Sequence, residues 1–361
     1  MAAIYNLSED RAKTEAVYKD IIRSDPSNRT ALLGLARLAV QEGALEKARS
    51  WLEKASKSDD KKGALGVEWA SIYLMNNDLP RARMVLQETT DLQPKNLQAW
   101  AMLAMLQLQQ DEVSDVEKVT LPRMENIAGT VDNYFIQITR AQLAVKKGKN
   151  YNRAARENFI RASILRPEIS ALKDMILQLD IAMNDQESAQ LHARQVLRVN
   201  RKHALANYVM GSLRLQQGDY GEAEDFLRRS VDTNPSAAAL NDLAEVLRRI
   251  KRYEDAEKFA RLSIEKSKEL YVAWETLGSI LFEANRDLNE AEACVKKAMS
   301  LYADDLRIKI TLARIQLKKG DIEIARETIR QIRLHQSELP KFDVGELEKL
   351  AAQADAFTRR K

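Results

Sequence analysis

The chain has one cysteine, Cys294, in 361 residues. That excludes an internal disulfide framework and a thiolate metal cluster. Proline (7), glycine (12) and aromatic residues (6%) are all scarce. A β-rich or loop-rich enzyme of this length would need more of each. An excess of one charge is missing too: 57 Lys and Arg face 53 Asp and Glu, a net charge of +4. No apolar run approaches the roughly 20 residues needed to span a bilayer. Met1 to Asp10 lacks a basic segment followed by a hydrophobic one, so no secretory signal is visible. Cytoplasm is therefore the default compartment; a piece of a longer chain would fit the periplasm or cell envelope instead.

What the chain does have is hydrophobic residues at 45%, charged residues at 30%, and a pattern that recurs about every 34 residues. The clearest copy runs from Ala204 to Ser236: Met210 and Gly211, a Gly218-Asp219-Tyr220 turn, then Ala223, Leu227, Ser230 and Asn234-Pro235. The next copy has Leu243, Ala244, Tyr253, Ala256, Ala260 and Ser263, and the one after has Trp274, Leu277, Gly278, Ala291, Val295 and Ala298. Two helical patterns per copy with a short polar turn mark a solenoid of helical hairpins. Small residues recur where neighbouring helices must approach: Ala36, Ala48 and Ala55, then Ala70 and Ala82, Ala104, and Ala141, Ala155 and Ala162. Pro26, Pro94, Pro167 and Pro235 fall at the ends of second helices, and Gly43, Gly148, Gly218 and Gly320 in the turns between helices. In spacing and residue type the sequence resembles the tetratricopeptide repeat (TPR) family, specifically the irregular, Ala- and Leu-rich bacterial kind. The resemblance implies an all-α, right-handed superhelical solenoid of antiparallel helix pairs with a C-terminal capping helix.

The expected organisation is a leading half-repeat over 8–28, three units over 29–133, six more over 134–339, and a capping helix and tail over 340–361. Opening on a second helix suggests a chain cut from something longer, or a lost first helix. The third unit is irregular. Ser114 to Glu117 reads as a capping box, with Val116, Val119, Met124 and Ile127 as a buried stripe. Pro122 then falls inside that helix, at about 3 kcal/mol unless the helix bends. Tolerated drift and a hinge between two arms are both open. After Pro340, the residues Leu347, Leu350, Ala351, Ala354 and Phe357 line one side of a helix, as a terminal cap or, alternatively, a partner-binding helix.

No catalytic constellation is present: no GxxxxGK loop, HExxH, paired CxxC or GxSxG turn. His192, His203 and His335 are scattered and read as solvated or capping residues. Cys294 beside Ala291 and Val295 reads as packing. The expectation is a non-enzyme with no cofactor and no metal. Basic clusters at Arg198-Arg201-Lys202, Arg228-Arg229, Arg248-Arg249-Lys251-Arg252 and Lys258-Arg261 could align into a phosphate-binding stripe. Interleaved Glu222, Glu224, Asp225, Glu254, Asp255 and Glu257 break it up, so nucleic acid is the weaker reading.

In the resembled family, first helices line the concave face and contact ligands. Carried over position by position, a partner-binding groove would present Val67, Ser71, Leu74, Met75, Ala101, Met105, Leu108, Gln109, Phe135, Ile138 and Gln142, then Asp174 and Gln178, then Tyr208 and Ser212. Asn241, Glu245, Arg248, Glu275, Ser279, Phe282, Ile310 and Arg314 would continue it. From Val67 to Ile138 this strip is apolar and suits an amphipathic helix or extended peptide. The expected function is a protein–protein interaction scaffold, set by resemblance in a bacterial envelope, secretion or export assembly. The alternatives are an RNA-associated scaffold and a self-assembling structural module.

Overall fold

The computed structural model describes residues 11–56, 65–129, 132–335, 337 and 341–358. Every regular element among them is helical. The chain divides into two units, Met1–Asn184 and Asp185–Lys361. The first holds α1 (Arg11–Ser24), α2 (Arg29–Gln41), α3 (Leu45–Ser56), α4 (Gly66–Met75), α5 (Leu79–Leu92) and α6 (Leu97–Gln109). There follow α7 (Val113–Asp115), a π-helical turn (Val116–Thr120), α8 (Leu121–Ala128), α9 (Tyr134–Lys147), α10 (Asn152–Leu165) and α11 (Ala171–Ala182). The second unit holds α12 (Gln186–Val199), α13 (Ala204–Gln217), α14 (Tyr220–Thr233), α15 (Ala237–Arg249) and α16 (Tyr253–Lys266). It continues with α17 (Tyr271–Glu283), α18 (Leu288–Leu301), α19 (Leu306–Lys319), α20 (Ile322–Arg333) and α21 (Lys341–Thr358). Each unit is a helical solenoid, with successive helices folded back on one another.

Local chemistry sets the helix ends. Asn28, Asp78, Asn96, Ser236 and Asp305 each accept a backbone N–H in the first turn of the following helix, which satisfies donors the helix leaves open. The turn within a hairpin requires a left-handed residue. Gly43 (φ 72°), Gly218 (φ 79°) and Gly320 (φ 86°) supply it freely, whereas Asn77 (φ 56°), Lys251 (φ 62°) and Asn285 (φ 54°) adopt it with a side chain.

Packing follows the small residues. Ala36, Ala48, Ala55, Ala70, Ala82, Ala104, Ala141, Ala155 and Ala162 are all at most 1% exposed. Leu52, Leu86, Leu106 and Leu227 fill the volume between backbones that approach closely. A hydroxyl repeats with the period: Ser230 Oγ donates to the Ala204 carbonyl at 2.9 Å, and Ser263 Oγ to the Ala237 carbonyl at 2.7 Å. Each bond ties a second helix to the start of its own first helix.

The irregularity around Pro122 is resolved without a break. The π-helical turn widens the backbone just before the proline, and Leu121 N–H bonds to the Val116 carbonyl. A proline ring clashes with the carbonyl four residues back, and a π turn moves that carbonyl aside. The turn also corrects the expected stripe. Val116 and Met124 are fully buried, but Val119 is 58% exposed and Thr120 takes the inward place, donating to Gln107 Oε1 at 2.8 Å. The extra residue in the π turn advances the register by one position. The expected capping box is corrected too: the helix starts at Val113, and no side chain caps it.

In the second unit α21 packs against α19 and α20, with Leu347, Leu350, Ala351 and Ala354 buried against Ile329 and Ile332. The side chain of Phe357 lies outside the described residues, as do Met1 to Asp10.

Candidate functional site

In the first unit, α6, α9, α10 and α11 surround an open cleft of about 520 Å³. Met105 and Leu108 enter it from α6, Phe159 from α10, and Met175 and Leu179 from α11. The amides of Gln109, Gln142 and Gln178 stand around this apolar floor. Val145 and Met175 also line it and are 47% and 36% exposed. Lys146, the cation at its edge, is already paired with Asp111 at 2.6 Å. The cleft is thus apolar, fringed by neutral hydrogen-bonding groups, with its charge compensated.

Of the residues expected in a groove, Met105, Leu108, Gln109, Gln142 and Gln178 come together here. Others do not reach it. Val67 and Ala101 are buried in the core, each 8% exposed. Ser71 is half-buried and returns its hydroxyl to the Val67 carbonyl at 2.9 Å. Leu74 and Phe135 pack against the same core, and Ile138 against the cluster around Ala141 and Phe159. Met75 is 43% exposed, outside the cleft lining. Phe159 and Asn152 were missed because they come from a second helix, which a rule built on first helices does not sample. The signal for Val145 and Met175 was available: each is a large apolar residue near an amide already singled out, Gln142 or Gln178.

In the second unit the expected positions carry a polar character. Burial raises the Asp242 carboxyl to about 6, against hydrogen bonds from Ser212 and Asn241 that favour its charged form. Burial, and then the Asp242 charge, pushes the Tyr208 phenol up to about 12. Burial also raises Glu275, which accepts from Ser279 Oγ at 2.9 Å and Thr311 Oγ1 at 3.3 Å. Burial works against ionised Glu245, but Arg248 and Arg249 outweigh it and hold that carboxyl low. Phe282 lies beneath both Arg314 (4.9 Å) and Lys318 (4.7 Å). These side chains are largely committed to one another.

Most basic clusters are likewise paired. Arg228 meets Glu224 at 2.7 Å, Arg249 meets Glu245 at 2.7 Å, Arg252 meets Asp255 at 2.5 Å, and Arg261 meets Glu290 at 2.8 Å. His203 caps α13, its Nδ1 accepting from Ala206 N–H at 3.3 Å. Cys294 is buried, and burial pushes its thiol up to about 11, far from a nucleophilic thiolate at neutral pH. Among the described residues no group of three His, Cys, Asp or Glu could hold a metal ion, and no helix is long and apolar enough to cross a membrane.

Comparison with known proteins agrees with this architecture. One family model, described as tetratricopeptide repeat, matches residues 178–238 and 208–269. A second with the same description matches 7–65 and 282–341. Together they cover more than half of the chain. A search of curated proteins finds no match. Among solved structures, a chain of the APC/C hetero-tetramer Cut9-Hcn1 superposes with a TM-score of 0.55 at 14% identity, over 93% of this chain and 66% of that one. The present chain therefore spans slightly less than two thirds of that relative's length. PilF of Pseudomonas aeruginosa superposes with a TM-score of 0.52 at 16% identity, over 63% of this chain and 99% of its own. At such identities the likeness is one of fold. Repeats of this kind generally mediate protein–protein interactions, and scaffolds built from them are generally non-catalytic. With paired helices, buried small residues and matching models at both ends and in the middle, the chain belongs to the tetratricopeptide repeat family.

Proposed function

We propose that the chain is a non-catalytic scaffold that captures an amphipathic helix or extended peptide of a partner protein in the cleft of its first unit. One observation carries this reading: the cleft of about 520 Å³ leaves Met175 and Val145 open to solvent beside three glutamine amides. Apolar side chains of a peptide would cover the floor, each worth about 1.5–3 kcal/mol when fully buried. The amides of Gln109, Gln142 and Gln178 can each donate to and accept from a peptide backbone, which suits an uncharged stretch of partner. Because the floor is built on packed helices, little ordering cost falls on the scaffold. Against an RNA-associated scaffold weighs the pairing of Arg228, Arg249, Arg252 and Arg261 with carboxylates.

The test is selection of peptides from a displayed library on the full chain, followed by affinity measurements on variants. Met175→Glu and Val145→Glu should each weaken the selected peptides about tenfold to a hundredfold and leave the melting temperature unchanged. Val67→Glu is unsuitable, since it would place a charge in the core. Peptides that bind both cleft variants as tightly as the parent protein would reject this placement.

A further inference from the structure

We propose that the second unit carries a separate binding site for a compact anion bearing two or more phosphate groups. The site is a cleft of about 570 Å³ lined by Arg194, Arg198, Arg201, Arg214 and Arg229. These guanidinium groups come from α12 and the turn after it, from α13 and from α14. Two of them have local partners. Arg214 meets Glu222 at 2.8 Å, and Arg229 donates to the Asp225 carbonyl at 3.0 Å while lying 4.7 Å over the Phe226 ring. Arg194, Arg198 and Arg201 are exposed and have no acidic partner among the described residues.

This arrangement stands apart from the rest of the unit. The arginines of α15 and α16, and Arg228 on α14, sit against carboxylates, whereas this cleft gathers like charges and leaves three of them uncompensated. Like charges held together repel one another, and an anion placed among them relieves that repulsion. Guanidinium groups suit phosphate in particular, because their planar N–H pairs match its oxygens two at a time. Three free guanidiniums exceed what one phosphate can neutralise, so the fit is to a di- or triphosphate. The volume is in the range of small-molecule sites. The paired arginines of α15 and α16 interrupt any basic track that a nucleic-acid backbone could follow from the cleft along the second unit. Leu197, Met210 and Phe226 add an apolar surface against which an organic group attached to the phosphates could rest.

The experiment is calorimetric titration of the full chain with pyrophosphate, tripolyphosphate, ATP, AMP and inorganic phosphate, beside a single-stranded RNA oligonucleotide. Tripolyphosphate and ATP should bind and raise the melting temperature, with AMP and inorganic phosphate at least about tenfold weaker. ATP binding above tripolyphosphate assigns the anion to a nucleotide; equal binding assigns it to a phosphate chain alone. Arg198→Gln and Arg201→Gln should each cost about tenfold in affinity. Arg194→Gln serves the same purpose should either variant fail to fold by circular dichroism. Arg330→Gln, at an exposed arginine paired with Glu327, should bind like the parent. No binding of pyrophosphate or tripolyphosphate would overturn the proposal. So would equal loss in the Arg330→Gln control, or binding confined to RNA.

Discussion

Arg156 on α10 holds the carboxylate of Asp180 on α11 at 2.8 Å, and that carboxylate is withdrawn completely from solvent. The pair joins α10 and α11, consecutive helices that both contribute side chains to the cleft of the first unit. An ion pair of this kind adds little net stability over a well-packed apolar pair, but removing one partner is costly, because the other charge stays behind in a poor solvent. Arg156→Gln should therefore destabilise the first unit by about 3–5 kcal/mol. Urea denaturation read by circular dichroism checks this. Asp180→Asn combined with Arg156→Gln should recover part of the loss.

A pH dependence follows from Asp242. Its native carboxyl holds a proton up to about pH 6 because burial disfavours the charge, with the nearby Glu245 adding to the effect and Ser212 and Asn241 opposing it. In the unfolded chain the same group titrates near 3.9. Between these values the native state binds more protons than the unfolded one, so stability falls as pH rises through that window and levels off above it. The difference is about 2–3 kcal/mol. Glu275, also raised by burial, acts in the same direction. Thermal melts of Asp242→Asn from pH 4 to pH 8 should lose most of this slope and lie above the parent at pH 8. A slope unchanged by the substitution would show that Asp242 is solvated.

Gly278 tests how tightly hairpins close. A Cβ added there would lie 2.6 Å from Val295 Cγ2 and 3.0 Å from the Ala291 backbone carbonyl. The valine can rotate, but the carbonyl is part of α18 and cannot. Gly278→Ala should push α17 away from α18 and cost about 1–3 kcal/mol, more than the helix propensity it gains. Gly221, with nothing near its absent Cβ, is the control: Gly221→Ala should stabilise by about 0.5–1 kcal/mol.

The hairpin pattern was legible because it rests on backbone approach. Wherever two helices nearly touch, the side chain between them is small, so Ala70, Ala104 and Ala155 announce the architecture on their own. The groove was legible only in part. One residue of error turns a helix by about 100°, which separates Met105 in the cleft from Ala104 in the core. The arginine cleft was harder still. Adjacent Arg228 and Arg229 look alike in sequence, yet one meets Glu224 and the other lines the cleft. Arg194 and Arg214 join it only through the stacking of three helices.

Lys251 shows a cost the sequence carries openly. It occupies the hairpin turn at φ 62°, where equivalent turns use glycine at Gly218 and Gly320. For an L-residue the left-handed region costs about 1–2 kcal/mol. The Lys251 N–H bonds to the Arg248 carbonyl at 2.9 Å, as a glycine's would, while its exposed side chain has no hydrogen bond or ion pair among the described residues to offset the strain. A glycine there gives up about 0.5–1 kcal/mol in unfolded-state entropy, less than the strain it removes. Lys251→Gly should thus stabilise the second unit by about 0.5–1 kcal/mol, read as a higher urea midpoint at unchanged slope. Lys251→Asn should gain a smaller amount, since asparagine tolerates the conformation better than lysine but not as well as glycine. The order Gly, Asn, Lys is the signature of backbone strain; a loss of stability in both variants would mean that the lysine side chain anchors the turn.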